Sequence, residues 1–331
     1  MAQQVEIARV SDPAPSAPPG LSAFAAKVLD QLSLSAWLPG ALFAIAVTVL
    51  LRFRANASVN LTTVADDIST GRHWIAVLVL TLPVLVLSVL VIQASSFAAI
   101  QFLEGYGAAG GPGRWARTAL IRYQLERLNR LQKRLGRARK DAFDATIDKW
   151  KAEPAEVVLA LQAAAYGLGK PTLSAEHDAL LSGLDWQSEC EPWQLARIDE
   201  LQERIKEFPA LHRILPTRLG NVLRTTEDDL DDTAADLSTF ALRRRSMVPP
   251  RTQLQHDQFR ARLDMYATLT VVTTLLAGLS LAILIGAVAP VAVTLVCAVF
   301  LLAALVAYRA AVASARGYAS ILRVMSAADG S

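Results

Sequence analysis

The apolar residues of the chain gather into long runs, and the longest of them organises the rest. Met265 to Tyr308 is 44 residues without a charge, bounded by Asp264 and Arg309. A Gly286-Ala-Val-Ala-Pro290 break lies near its middle. A membrane helix needs about 20 residues, at 1.5 Å rise each, to cross a hydrocarbon layer of about 30 Å. The stretch is therefore too long for one span and right for two, one from about Asp264 to Gly286 and one from about Pro290 to Tyr308. On the first of these, Ala267, Thr270, Thr274 and Gly278 share a face of small and hydroxyl side chains, the composition that lets another helix approach closely.

Two earlier runs predict two more spans. One covers about Leu32 to Leu51, with Trp37 near one end and Arg52 and Arg54 at the other. A cleaved signal peptide is disfavoured there, because more than 30 residues precede the run and two arginines separate it from the Ala55-Asn-Ala57 site. The other begins at Trp74 and meets no charge until Glu104, with Pro83 inside its strongly apolar part, Ile75–Ile92. Gly105 to Gly113 then holds five glycines and a proline, which predicts a joint. A phosphate-binding loop is disfavoured, since the Gly-Lys-Ser/Thr ending is absent and no strand precedes it.

The polar segments fill in the organisation. Four prolines lie between Ser11 and Gly20, so residues 1–20 read as a disordered tail. In the following segment, 21–35, Leu21, Phe24, Val28 and Leu32 repeat at helical spacing, which predicts an amphipathic helix at the membrane interface. Residues 36–113 form the first transmembrane hairpin and its joint, and 114–263 a helical domain without any alternating strand pattern. Residues 264–308 form the second hairpin, and 309–331 a soluble tail helix. The fold class is all-α: a polytopic membrane protein of four transmembrane helices, arranged as two hairpins with a cytoplasmic helical domain inserted between them.

Charge sets the orientation. The protein has a net charge of only +3, but Arg114–Lys140 alone holds ten basic residues and one acid, Glu126. Basic residues also flank the inner ends of the last two spans, while the turn between them has none. The positive-inside rule then places the N-terminus, the central domain and the C-terminus in the cytoplasm of a bacterial inner membrane. Within the basic helix, Arg114, Arg117, Arg122, Arg127, Arg130, Lys133 and Arg134 are candidates for contact with anionic lipid head groups. Nucleic acid is disfavoured as a partner, because aromatic residues are thinly interleaved and the segment is tethered beside the membrane.

The most distinctive soluble stretch is Leu215-Pro-Thr-Arg-Leu-Gly-Asn-Val-Leu-Arg-Thr-Thr-Glu227. Pro216 there predicts a helix start, and Gly220 a close approach to a neighbour. The acidic tract from Glu227 to Asp236 lacks the central glycine and terminal glutamate of a calcium loop and reads as a solvated face near the basic helix. Together with Met247-Val-Pro-Pro250 and Gln255-His-Asp-Gln-Phe-Arg-Ala-Arg-Leu-Asp-Met-Tyr266, the stretch resembles a group of uncharacterised bacterial polytopic membrane proteins. That resemblance implies a four-span membrane protein and carries no activity.

Candidate chemistry changes the picture little. The two cysteines, Cys190 and Cys297, lie in a polar region and an apolar run, which disfavours a disulfide. The four histidines have no ligand spacing, so neither a metal nor a cofactor is expected. No span carries an interior charge, which disfavours a proton-coupled transporter. The leading expectation is a non-catalytic scaffold or signalling component that binds a protein partner, or further copies of itself, through the cytoplasmic domain. The alternatives are an oligomeric ion channel or pore and a membrane-bound enzyme. An enzyme would need Glu104, Arg114 and Arg117 to converge on a pocket.

Overall fold

The computed structural model describes residues 34–55, 74–106, 111–168, 172–230 and 237–327. The expected Pro-rich tail, most of the interfacial helix, the loop at 56–73 and acidic residues Asp231, Asp232 and Asp236 lie outside the described residues. The described residues are helices and their connections, with no strand among them. Four helices are long and apolar enough to cross a membrane. They are α1 (Leu34–Ala55), α2 (Trp74–Glu104), α9 (Pro250–Leu284) and α10 (Pro290–Ala327). Between α2 and α9 lie α3 (Gly111–Thr146), α4 (Ala155–Tyr166), α5 (Ala175–Gly183), α6 (Pro192–Ile205), α7 (Arg218–Asp229) and α8 (Leu237–Arg244).

The helix ends follow from local chemistry. Pro83 lies within α2 without ending it. Gly105, at φ +99°, and Gly167, at φ +72°, stop α2 and α4 in left-handed backbone that a side chain disfavours. Ser174 accepts from the His177 N–H at the start of α5. Pro192 opens α6 inside a capping box made by Glu191 and Gln194. The basic helix continues past the Arg114–Lys140 segment: α3 runs to Thr146 and tightens into a 3₁₀ turn over Ile147–Trp150.

The spans pack into a bundle with two distinct ends. α9 and α10, joined by a turn at Gly286 (φ +76°), run along each other; α1 packs on α9 and α2, and α2 also reaches α9. Ile92, Val272 and Leu276 form a buried centre with Phe43, Val47 and Phe300. At one end, Leu50 of α1 meets Leu284 and Val293 beside the α9–α10 turn. There the Arg54 guanidinium donates to the Ile283 carbonyl at 3.2 Å, so this arginine covers one of the last unpaired carbonyls of α9. Inside α9, Thr268, Thr270 and Thr273 each donate to a carbonyl four residues earlier. Their hydroxyls are thereby satisfied within apolar surroundings.

The packing face of α9 differs from the expected one. Ala267 and Thr270 are buried, but Thr274 and Gly278 are exposed, and a Cβ added to Gly278 meets nothing within 4 Å. The buried seam continues through Thr273, Ala277, Ser280 and Leu284. From Thr270 the next turn offers both 273 and 274 at helical spacing; the seam takes the first, which rotates the face by about one residue, or 100°.

Beyond the spans the chain builds two cores. One joins Leu131, Phe143, Leu161, Trp186, Ile198 and Leu201, so it closes α3, α4 and α6 on one another. The Phe143 ring meets Tyr166 and Trp186 edge-on, at 6.0 and 6.3 Å between centroids. The other core joins Leu219 and Leu223 of α7, Phe240 of α8, Leu263 of α9 and Tyr318 and Leu322 of α10. It exists because α9 and α10 do not end with their apolar runs. The polar segment Pro250–Leu263 and the tail from Arg309 to Ala327 are unbroken continuations of the third and fourth spans.

Candidate functional site: a charged groove between two helical cores

The stretch Leu215–Glu227 is the joint on which the two parts of the molecule meet, and each of its residues has a physical task. Pro216 does not start the helix. It lies ahead of the N-cap, Thr217, close to Gly105, where an added Cβ would come within 2.1 Å of the proline ring. The three N–H groups of the first turn of α7, which have no partner within the helix, all find acceptors, and the first helical bond follows. The Tyr308 hydroxyl accepts from the N–H of Arg218 at 3.1 Å and of Leu219 at 3.3 Å. The Thr217 hydroxyl accepts from Gly220 at 3.0 Å, and the Thr217 carbonyl from Asn221. Gly220 lies against the backbone of α2: a Cβ there would be 2.5 Å from the Glu104 carbonyl oxygen. The Asn221 side chain turns its amide oxygen back to accept from the Leu215 N–H at 2.7 Å. The last residue of α2, the last of the fourth span's apolar run and the first turn of α7 are thus held in one knot.

Beside this knot, α3, α6, α7 and α10 surround a half-open groove of about 750 Å³. Its lining carries six basic and three acidic residues among the described ones. Glu207 is its centre, with a side chain only 13% exposed. One carboxylate oxygen accepts from the Arg218 Nε at 3.0 Å and the other pairs with Arg316 at 2.5 Å. Arg127 completes the set from α3, with its guanidinium 5.5 Å above the Phe208 ring. Burial pushes the Arg127 guanidinium below its ordinary value and Arg218 adds to that, while Glu207 opposes it. The other basic residues have their own acids: Arg204 pairs with Glu200, Lys206 with Glu203, and Arg323 with Asp229. Among the described residues, no carboxylate lies at ion-pair distance from Arg127.

The remaining candidate residues are dispersed. Arg114, Arg122, Arg130, Lys133 and Arg134 are exposed along α3 and Arg117 is half-buried, whereas Arg127 turns inward to the groove. Arg114 and Arg122 share a hollow with exposed Trp115 and Tyr123 near the start of α3. Glu104 is absent from that hollow, so Glu104, Arg114 and Arg117 do not form one site. Glu227 and Asp228 do not face the basic helix; they pair with Arg213, and Glu227 also with Arg224 at 2.7 Å. That contact raises the Arg224 guanidinium, against burial. Carboxylates at the end of α7 oppose its dipole, and these arginines offset the cost. Cys190 is buried against Trp186 and Ala142 carbonyls, and burial pushes its thiol up, the condition of an inert cysteine. No group of three or more metal-ligating side chains occurs among the described residues.

In the sequence Arg127 stands among the residues of the basic helix that are candidates for lipid contact, and no spacing joins it to Glu207, Arg218 or Arg316. Their signal was faint. Glu207 precedes the Pro209 break, and Arg218 lies in the distinctive stretch, but nothing in the spacing shows that α10 returns an arginine to meet them.

Fold and site together define an all-α protein with four helices apolar enough to cross a membrane, one of which continues into the wall of a basic groove that it shares with three further helices. The chain matches no protein-family model, and no curated protein or solved structure matches it.

Proposed function

We propose that this is a non-catalytic scaffold or signalling component of a bacterial inner membrane, which binds a partner through a cytoplasmic helical domain. The observation that carries the reading is the continuity of α9 and α10. Each runs as one helix from an apolar span into the charged domain, and α10 supplies Arg316 to the groove. A change of occupancy at the domain therefore bears on the spans through rigid helix and not through a loose linker.

Two hairpins with both termini and the inserted domain cytoplasmic is the arrangement that the charge distribution favours. The knot at Glu104, Gly220 and Tyr308 supports it, since it gathers the ends of two spans, the second and the fourth, on one side. Arg54 runs against the rule, and its bond to the Ile283 carbonyl gives it a local reason to stand at the opposite end. Native mass spectrometry in detergent, with ion flux from liposomes, tests the reading. A monomer or dimer without flux is expected; a discrete ring that conducts ions would replace it with a channel.

A further inference from the structure

We propose that the groove between α3, α6, α7 and α10 binds a phosphoryl-bearing anion, held by Arg127, Arg218 and Arg316. This goes beyond the scaffold reading and holds whichever side of the membrane the groove faces.

Two arginines, Arg218 and Arg316, pair with the one carboxylate of Glu207, and a third, Arg127, lines the same groove. Glu207 is shared between Arg218 and Arg316, so its single charge is divided; among the described residues Arg127 donates to the Gln124 amide oxygen at 3.5 Å and has no carboxylate at ion-pair distance. Arg127 is nevertheless drawn in from α3, half-buried over Phe208, and lines the same groove as Arg218 and Arg316. An unmatched cation in that position costs stability, and a second anion in the groove would remove the cost. The guanidinium fork suits a phosphoryl group, whose oxygens accept pairs of N–H donors from several directions at once. A carboxylate offers fewer acceptor oxygens to three arginines. The side-chain hydroxyls of Thr225 and Ser320, which donate to carbonyls of their own helices, keep lone pairs at the groove wall. They can accept from any hydroxyl the ligand carries. A volume of about 750 Å³ lies within the usual range of about 300–1,000 Å³ for small-molecule sites.

Two sources share this chemistry: a soluble phosphorylated compound, or the head group of an anionic lipid. Arg316 stands eight residues beyond Tyr308, about 12 Å along the helix, so a head group is within reach of the groove's upper end.

The test uses the full chain in nanodiscs and reads its thermal midpoint. In zwitterionic nanodiscs, inorganic pyrophosphate should raise the midpoint saturably, by roughly 4 °C at a hundredfold excess over Kd. Arg127→Met keeps a stem on Phe208 and should abolish that rise, with its own midpoint unchanged or higher than that of the unliganded parent. If Arg127→Met does not fold, Arg316→Gln serves in its place. If the rise appears only in phosphatidylglycerol nanodiscs and is lost in the variant, the ligand is a head group. No rise in either medium, or an equal rise in the folded variant, overturns the proposal. Both bilayer faces are accessible in a nanodisc, so a wrong orientation would not affect the outcome.

Discussion

Gly220 and Gly278 have the same absent side chain and opposite surroundings. At Gly220 a methyl group would stand 2.5 Å from the Glu104 carbonyl oxygen, a backbone atom that cannot swing aside. Gly220→Ala should therefore cost about 1–3 kcal/mol, read as a lower thermal midpoint in detergent. At Gly278 the space is open, and Gly278→Leu should change stability by less than about 0.5 kcal/mol; a large loss there would mean that another helix covers this face. Tyr308 is a second sharp position. Its hydroxyl accepts from two N–H groups at the start of α7, so Tyr308→Phe removes a cap with little change of shape. The expected cost is about 1–2 kcal/mol in the same melt, and an unchanged midpoint would argue against the cap. Gly220 was legible as a place of close approach from its position after Pro216. Its partner was not, because nothing local links residue 220 to the end of a span 116 positions earlier.

Among the elements, α9 and α10 matter most. The apolar runs were read at nearly their full length because a span must be long and uncharged. The continuation of both helices into the polar domain was harder to see as packing. Phe259 over Gly317, and His256 beside Tyr318 with rings 5.1 Å apart, depend on a return contact that periodicity does not reveal. The seam of α9 was misplaced for a related reason: small and hydroxyl residues occupy several neighbouring faces, so composition alone does not fix the rotation. Asp257 gives the start of α9 a pH-dependent part. Burial would raise its carboxyl, but hydrogen bonds from His256 and Arg245 outweigh that and hold it below the ordinary value. A carboxylate with a depressed folded value adds stability above its unfolded value and loses it as pH falls through the folded one. Asp257→Asn should thus lower the thermal midpoint at neutral pH, and the gap to the parent should close below the ordinary carboxylate range. A gap that persists in acid would assign the loss to shape and not to charge.

At the scale of the whole molecule, the sequence told more about where the charges lie than about what they meet. Four spans, a basic helix and an acidic tract could all be read. That Glu227 and Asp228 answer Arg213, while Arg127 leaves the basic face for a groove, could not, because ion pairs across four helices have no sequence spacing. We propose that the charged helical domain, which hangs on two continuous span helices, lies at the cytoplasmic face. A cysteine at Ser320, a surface position of α10 that lines the groove, tests it in a chain with Cys190 and Cys297 replaced by alanine. Labelling by a membrane-impermeant maleimide should be absent in intact cells with a permeable outer layer and present in inside-out vesicles; labelling in the intact cells would contradict the account.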